Sequence, residues 1–347
     1  MSNKRQRAIL IRLFLFSCLF VAIQTAPAFG QSIGGNTVFN FINLSPSAKT
    51  TALGGMNISQ LEGDLGMSVN QPAFLNKEMD RQLHLSIKPY LASINQYNFN
   101  GANYIRTANT TIGWGVQYMD YGTIPMTDIA GNELGSFRPN EYSFQLSAAT
   151  TYKTNFQVGA TLKYIQSKYG IYHSNALATD VGIIYTPYSG LTQWALLVNN
   201  VGVQITPFNK KENLPFNITA GFSKRLASAP FQFSLTAQRL TKWDITYNDT
   251  LYNNIEGVNS ASKNQNLFNH LIFGTEIYLG SAVSIQMGYN FLRRYDLNLQ
   301  NQKNSLNGFS AGCSFLINNL QVQYASAFFQ NNLNHHFTIL YQLNKKP

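Results

Sequence analysis

Cysteine, charge and long apolar runs are all scarce in this sequence, and each shortage narrows the class of protein. Beyond residue 30 the 347-residue chain has one cysteine, Cys313, which excludes an intramolecular disulfide and a cysteine-ligated metal cluster. Charged residues are 12% of the chain, about half the usual share. No apolar run beyond residue 30 reaches the ~18 residues of a membrane helix, so a membrane-spanning form must be a closed β-barrel.

Motifs for catalysis or cofactor binding are also missing from the sequence. It has no P-loop, no G-x-G-x-x-G and no H-E-x-x-H pattern. "GFSAG" at 308–312 matches the pattern around serine nucleophiles, but a strand-like "CSFLI" follows instead of the required helix. We therefore expect no catalysis at Ser310 and no bound cofactor. The histidines lack the spacing of a metal site: His84, His173, His270, His335 and His336.

The first thirty residues have the three parts of an export signal. A basic start, "NKRQR", precedes an apolar run that ends at Ile23, and the small residues of "APAFG" precede Gln31. This order predicts a signal peptide over 1–30 that is removed before Gln31, with a retained membrane anchor as the alternative. Its removal takes four of the 25 basic residues and none of the 15 acidic ones. No basic cluster remains to indicate a nucleic-acid surface.

Alternation of apolar and polar residues dominates the chain from residue 83 onward. In "NFQVGATLKY", residues 155–164, every second position is apolar, which is the period of a strand with two different faces. Most such runs are close to the 9–11 residues that a tilted strand needs to cross a bilayer. The fourteen predicted strands are 83–90, 98–106, 111–119, 141–151, 155–167, 177–186, 192–200, 216–225, 231–240, 270–279, 282–291, 308–317, 320–328 and 335–343.

The connections between these strands alternate in length. The shorter ones are 107–110, 152–154, 187–191, 226–230, 280–281 and 318–319. The longer ones are 91–97, 120–140, 168–176, 201–215, 241–269, 292–307 and 329–334. Long external loops and short periplasmic turns are typical of outer-membrane barrels. The sequence therefore predicts a 14-stranded antiparallel transmembrane β-barrel over 83–347, with both termini periplasmic and the long loops extracellular.

The polar face of the strands indicates which side points inward. Gln, Ser, Thr, Gly and Asn occupy it in nearly every strand, and burying them unpaired in a sandwich core would cost about 1–3 kcal/mol each. A wet or plugged bore avoids this cost, so the apolar face is expected to contact lipid. Lys163 and Asp180 both have inward parity at similar height. They are predicted either to pair across neighbouring strands or to be solvated separately.

Residues 31–82 do not share the two-residue period. Turn-forming residues and short apolar pieces alternate there, and a barrel of fourteen strands is wide enough to need filling. We expect this segment to fold into the bore as a plug, with a loose periplasmic arm as the alternative. The plug is favoured by apolar residues that do not suit a solvated tail: Phe39, Phe41, Leu53, Met56, Leu65 and Phe74.

The two longest predicted loops are candidates for contact with another protein. Residues 120–140 and 241–269 combine aromatic residues with Asn, Ser and Gly, a composition that suits protein contacts and equally a solvated outer loop. The candidate contact residues are Tyr121, Pro125, Phe137, Trp243, Tyr247, Tyr252 and Phe268.

Two motifs in the predicted plug carry a resemblance to a known family. "TVFNFINLSPSAKTTALGGMNIS" and then "NQPAFLNKEM", followed by the strands, resemble the PorQ family of the type IX secretion system. More widely, the chain resembles the barrels related to the long-chain fatty acid transporter, which have an N-terminal plug and an Asn-Pro-Ala motif. Here Gln71 separates Asn70 from Pro72, a departure from that motif. The resemblance implies that the plug motifs comprise Leu53, Gly54, Gly55, Asn70, Pro72 and Ala73.

The resemblance implies a non-enzymatic function at the cell surface. The expected function is an outer-membrane anchor of the attachment complex, which docks a PorZ-like surface protein through its external loops, with PorU and PorV-like components beside it. The alternative is an outer-membrane transporter of hydrophobic small molecules such as fatty acids, although the polar inner face argues mildly against it. A third possibility, a diffusion porin, would conduct ions across planar bilayers.

Overall fold

A computed structural model describes residues 37–246, 263–297, 306–329 and 332–343 of the chain. The predicted signal peptide, residues 1–30, and the predicted loop residues Tyr247 and Tyr252 lie outside these ranges. No helix among the described residues is long and apolar enough to cross a membrane.

Strands form most of the described structure, with short helices before and between them. The α-helices are α1 (Ala48–Ala52), α2 (Leu65–Ser68), α3 (Lys263–Asn269) and α4 (Phe291–Leu297), and the 3₁₀ turns are Asn40–Asn43, Pro72–Phe74, Lys77–Met79 and Arg106–Ala108. The strands are β1 (Gln82–Pro89), β2 (Asn95–Ile105), β3 (Thr110–Asp120), β4 (Ile124–Thr127), β5 (Glu133–Phe137), β6 (Asn140–Tyr152), β7 (Phe156–Tyr169), β8 (Tyr172–Tyr185), β9 (Thr192–Thr206), β10 (Asn217–Arg225), β11 (Phe231–Ala237), β12 (Leu271–Leu279), β13 (Val283–Asn290), β14 (Phe309–Ile317), β15 (Leu320–Phe329) and β16 (Asn332–Gln342).

The strands other than β4 and β5 form one closed antiparallel barrel of fourteen strands. Each pairs with its neighbours in chain order, β3 pairs with β6, and β1 closes the sheet against β16. The register of the closure runs from Gln82 opposite Gln342 to Ile87 opposite Phe337. Closure leaves no free sheet edge in the barrel, as a membrane-spanning sheet requires. The predicted 14-stranded transmembrane barrel is confirmed.

The two faces of β7 point as the alternation predicts. Leu162 is 55% exposed on the outer face, whereas the next residue, Lys163, is buried inside. Large apolar side chains are exposed in the same way along the other barrel strands, such as Phe144 on β6 and Trp194 on β9. The outer surface is therefore the apolar one, which is stable only in contact with lipid.

Four predicted loops are shorter in the structure. The loops 91–97, 168–176 and 201–215 shorten to residues 90–94, 170–171 and 207–216, because the flanking strands continue through their polar ends. In place of 329–334, only residues 330–331, which lie outside the described ranges, separate β15 from β16. Backbone pairing in the barrel does not depend on side-chain polarity, so polar composition alone misplaced these strand ends. The long connections all remain at one end, which we call the long-loop end; the other is the short-turn end.

One long connection contains structure of its own. Strands β4 and β5 pair as a separate hairpin at the long-loop end, within the connection that the sequence predicts as a loop over 120–140. The hairpin exposes Ile124, Met126, Ile129 and Leu134.

Residues 37–81 lie inside the barrel. Their side chains and backbone hydrogen-bond to inward-facing residues of most barrel strands, from Ser86 on β1 to Thr338 on β16. The segment is also buried along most of its length, including Phe41, Leu53 and Leu65. The inward polar residues are thus packed against protein.

The polarity of the outer face can be tested by placing a charge on it. Leu162 lies at the middle of β7, where arginine costs about 2–4 kcal/mol in a bilayer. We expect Leu162→Arg to lower the free energy of unfolding in lipid vesicles by that amount, measured by urea titration. Leu134→Arg, at a similarly exposed leucine on β5 (64% exposed), is the control and should change it by less than ~0.5 kcal/mol. Equal effects at both sites would contradict a lipid-facing β7.

Candidate functional site

The candidate site is the bore of the barrel together with the 37–81 segment that fills it. The segment is bonded to the wall on opposite sides. The bonds run from Ala48 N to Thr338 Oγ1 (2.9 Å), from Thr51 Oγ1 to His336 Nδ1 (2.8 Å), from Asn57 Nδ2 to Ser234 Oγ (2.9 Å), from Ser59 Oγ to Ser223 Oγ (2.9 Å), from Gln117 Nε2 to Phe41 O (2.8 Å) and from Gln323 Nε2 to Asp64 Oδ2 (2.7 Å).

The first plug motif rests on a glycine-lined part of the wall. Leu53 and Gly54 lie over Gly288 so closely that a Cβ there would be 2.1 Å from Gly54 N. Gly274 pairs with Gly288 on the neighbouring strand, and a Cβ on it would be 3.2 Å from Leu53 Cδ2. Asn290 Nδ2 donates to Gly54 O at 3.0 Å. Side chains are absent from the wall at the place where the segment's backbone needs room.

Gly54 and Gly55 also have a conformational reason to be glycine. Their φ angles are +97° and +100°, in a region that L residues with side chains rarely adopt. They follow α1, which ends at Ala52, and the N–H groups of Gly54 and Gly55 donate to Thr51 O and Thr50 O. The "LGG" sequence therefore ends the helix and brings the backbone against the wall.

The second plug motif rests on a second pair of glycines. Gly159 and Gly182 face each other on β7 and β8. A Cβ on Gly159 would be 2.5 Å from the carbonyl carbon of Pro72, and one on Gly182 would be 1.7 Å from Gln71 Oε1. Gln71, the residue that departs from the family's motif, thus occupies the space beside Gly182. Asn70 Nδ2 has no hydrogen-bond partner among the described residues.

A buried ion pair joins the segment to β12. Lys49 Nζ on α1 lies 3.3 Å from Glu276 Oε1, with the two side chains 5% and 1% exposed, and Lys49 also donates to Glu62 O at 2.9 Å. Burial opposes the charge of Lys49, but Glu276, Asp64 and Glu62 outweigh it and raise the pKa of Lys49. The sequence alone does not indicate this pair, because Lys49 lies in a segment without periodicity.

The structure brings Lys163 and Asp180 together inside the barrel. Lys163 Nζ lies 2.5 Å from Asp180 Oδ2. Asp180 Oδ1 also accepts from the backbone N–H of Asn200 at 2.8 Å, where a register shift between Thr179 and Val181 of β8 leaves β9 with extra residues. Asn200 Nδ2 in turn donates to Asn43 Oδ1 of the plug segment at 3.0 Å. The ion pair therefore supports a bulge in the wall that holds the segment.

A cavity of about 440 Å³ remains at the short-turn end. Its lining is polar and carries more carboxylates than cations. It is lined by Glu62, Asp64, Asn76, Glu78, Tyr278 and Gln321, with Lys49 and Glu276 at its inner end. Such a lining suits water and polar solutes and does not suit an apolar molecule.

The long-loop end of the bore has the opposite character. Met119, Ile165, Ala176 and Ala178 have inward-facing, buried side chains on β3, β7 and β8. They pack in one cluster with residues of the plug segment and of the 207–216 connection, which we call the upper apolar cluster: Val38, Phe39, Phe41, Ile42, Met119, Ile165, Ala176, Ala178 and Leu214. Tyr90, Ile94, Tyr121 and Phe208 border it. The inner face is therefore less uniformly polar than the sequence analysis expected.

The residues predicted to contact another protein lie in different parts of the structure. Tyr121 turns toward the upper apolar cluster, and its hydroxyl donates to Glu141. Pro125 and Phe137 lie in the hairpin, on β4 and β5. Trp243 and Phe268 lie within the 238–270 connection and are exposed. The ring of Phe268 packs against that of Phe291 in a tilted arrangement, with the centroids 5.5 Å apart.

Ser310 and two of the histidines, which were considered as candidates for catalysis or metal binding, have contacts of a structural kind. Ser310 Oγ donates to Ala52 O at 3.0 Å, so it anchors α1. His270 is bonded to Gln238 O and Trp243 O. His84 Nδ1 contacts Asn100 Nδ2 at 2.8 Å, while its Nε2 has no hydrogen-bond partner in the described structure. No cluster of three metal-ligating side chains occurs in the described part of the chain.

Comparison with known proteins gives a likeness of fold only. No family model and no curated protein matches the sequence. The TodX monoaromatic hydrocarbon channel, as its deltaS2 mutant, is similar with a TM-score of 0.55 and 11% identity, over 86% of this chain and 97% of that one. The CymD monoaromatic hydrocarbon channel has a TM-score of 0.54 and 14% identity, over 89% and 100%.

A FadL homologue of Pseudomonas aeruginosa is also similar, with a TM-score of 0.47 and 9% identity, over 87% of this chain and 98% of that one. The fold is thus similar to that of the TodX and CymD barrels. Membership of the PorQ family stays a prediction.

Breaking the Lys49–Glu276 pair tests what holds the segment in place. Lys49→Met leaves a buried carboxylate without its cation, so we expect the free energy of unfolding in micelles to fall by about 3–5 kcal/mol and protease to cut the segment faster. The double variant Lys49→Met/Glu276→Met should recover most of this loss. Arg225→Met removes a more exposed pair with Glu62 and should cost less than ~1 kcal/mol. Similar losses in all three variants would show that the pair is not the anchor.

Proposed function

We propose that the chain is an outer-membrane channel for small apolar molecules, with its long loops outside the cell and its termini in the periplasm. The observation that carries this proposal is the upper apolar cluster. A membrane barrel has no structural need for apolar side chains on its inner face, because water or a polar plug can fill the bore. Apolar residues at inward positions of β3, β7 and β8 are what a site for an apolar molecule requires.

The plug segment itself fills this candidate site. Phe39, Phe41 and Ile42 are buried against Met119 and Ile165, where two aromatic rings and a branched side chain occupy the volume that an apolar molecule would take. An incoming molecule of similar size and polarity would replace these contacts at little cost in buried apolar area. An apolar cargo molecule would therefore take the place of the segment's own side chains in the cluster.

A likeness of fold also supports a channel. TodX and CymD, which share the fold, are monoaromatic hydrocarbon channels, so this barrel type is compatible with small apolar cargo. The polar cavity at the short-turn end does not contribute to this argument, because its lining suits water and polar solutes.

Replacing a cluster residue with a polar one of equal length tests the proposal. Met119→Gln keeps the volume but adds an amide to the site, so we expect uptake of radiolabelled toluene by intact cells to fall several-fold relative to the unaltered chain. The control is Met126→Gln, at an exposed methionine on the hairpin, which should leave uptake unchanged. If cells without the gene take up toluene as fast as cells with it, the channel function is wrong.

A second candidate function rests on the hairpin of β4 and β5. Ile129 is fully exposed and Leu134 is 64% exposed, and neither packs against the barrel. Exposed apolar side chains that project beyond the membrane are characteristic of protein contact sites. This favours the docking of a PorZ-like surface protein, with PorU and PorV-like components nearby, as the PorQ resemblance implies. The two functions do not exclude each other, since they use different parts of the molecule.

Site-specific crosslinking tests the docking function. A photoreactive residue at Met126 or Leu134 should give a discrete adduct with a surface protein on whole cells. Leu226, in the 226–230 turn of the opposite end and also exposed, provides the control and should give none. Absence of adducts at both hairpin positions, with the barrel correctly inserted, would count against docking through the hairpin.

A further inference from the structure

Helix α3 has its apolar and polar residues on the opposite sides from those of a surface helix in water. Leu267 and Phe268 are 50% and 49% exposed, whereas Asn266 and Asn269 are 6% and 2% exposed. A helix on a soluble domain turns its apolar residues toward the core and its polar residues toward water. The reversed order in α3 is the one found along the barrel strands, where the outer side contacts lipid.

The orientation of α3 is fixed by the residue that follows it. The backbone N–H of His270 donates to Leu267 O at 3.3 Å, and His270 O accepts from the backbone N–H of Gln238 at 2.8 Å. Gln238 comes directly after β11, which ends at Ala237. The C-terminal end of α3 is therefore bonded to the barrel, so Leu267 and Phe268 keep their outward position.

Three aromatic residues form a row across the outer face of the barrel close to α3. Phe273 on β12 lies opposite Tyr289 on β13, and Tyr289 lies opposite Phe309 on β14. Phe273 and Phe309 are exposed, and the rings of Tyr289 and Phe309 are 4.6 Å apart. Aromatic residues of outer-membrane barrels collect at the two boundaries between membrane and water. We take this row, the aromatic row, as the membrane boundary at the long-loop end.

Phe291, the first residue of α4, connects α3 with the aromatic row. The centroid of its ring is 5.5 Å from that of Phe268, 5.9 Å from that of Phe273 and 4.7 Å from that of Tyr289. The apolar surface of the strands thus continues through Phe291 to the exposed side of α3.

We infer that Leu267 and Phe268 lie in the lipid leaflet at the long-loop end and contact its acyl chains near the head groups. Lipid is the occupant because this side of α3 is continuous with the aromatic row and has the same reversed polarity as the strands. Helices with one apolar side bind at this depth of a bilayer. A helix of seven residues is unstable alone in water, but here the barrel holds it in place.

This inference gives Phe268 a different contact from the partner protein expected from the sequence. With α3 in the lipid, docking of a surface protein would depend on the hairpin of β4 and β5. The inference requires a barrel that lies in a bilayer, and it does not depend on the proposed channel function.

Collisions of a spin label with oxygen and with a nickel chelate test the position of α3 in lipid vesicles. Oxygen concentrates in the hydrocarbon of the bilayer, whereas the charged or polar chelate stays in water. We expect a label at Phe268→Cys or Leu267→Cys to have a several-fold higher ratio of oxygen to chelate collisions than a label at Leu134→Cys. Leu134 is the matched control because it is a similarly exposed leucine on the hairpin.

The full chain carries these labels in a Cys18→Ala/Cys313→Ala background, which removes both of its cysteines. A label at Phe273→Cys, in the aromatic row, gives the ratio expected for lipid contact. Leu267→Cys provides the test if Phe268→Cys fails to fold.

Two results would overturn the inference. A ratio on α3 equal to that at Leu134→Cys would place the helix in water, as a surface that is free or that binds a protein. Low collision rates with both reagents would mean that another part of the chain covers Leu267 and Phe268. A ratio several-fold above that of the control, close to the value for Phe273→Cys, supports contact with lipid.

Discussion

The polar groups on the inner face of the barrel need hydrogen-bond partners from the protein itself, and this constraint determines the rest of the structure. Lipid outside requires apolar residues at every second position of the strands, so the alternate positions, such as Thr161 and Lys163 on β7, turn inward. Because the 37–81 segment fills the bore, these groups cannot depend on water. Most of them have a donor or acceptor on the segment or on a neighbouring strand, whereas a few, such as His84 Nε2, have none in the described structure. The segment's sequence is therefore fixed by the wall that surrounds it.

The close packing of segment and wall explains where the glycines occur. Two pairs of glycines on adjacent strands, Gly274 with Gly288 and Gly159 with Gly182, receive the two plug motifs. At both places a Cβ would overlap backbone or amide atoms of the segment. Glycine in a strand is unfavourable by itself, so its use here trades strand stability for close approach of the segment. The two motifs that resemble the PorQ family thus both lie at points where the segment approaches the wall closely.

The alternation predicted the barrel because its cause, lipid on one side, acts on every strand alike. Parity placed Lys163 and Asp180 on the same inward face for the same reason, but it left open whether they pair, which the structure shows. Strand ends beyond the bilayer do not experience that constraint, which is why the hairpin of β4 and β5 and the turn at 170–171 were not foreseen. Lys49 and Glu276 could not be matched, since one of them lies in a segment without a period. A signal for the upper apolar cluster was present in "NALATD", residues 175–180, where apolar residues occupy both faces.

The two parts of the 37–81 segment differ in the number of their polar contacts with the wall. This difference bears on how a bore filled with protein could still admit a molecule. Residues 45–73 of the segment form a buried ion pair with the wall and rest on its two pairs of glycines. They also form hydrogen bonds to strands around the barrel.

Residues 37–44 have fewer polar anchors: Gln117 to Phe41 O, Asn200 to Asn43, and the backbone bond from Val38 to Asn213. Their remaining contacts are apolar and can be replaced by those of an apolar guest. Under the proposed channel function, entry at the long-loop end displaces only residues 37–44, whereas the Lys49–Glu276 pair holds the following part of the segment in place.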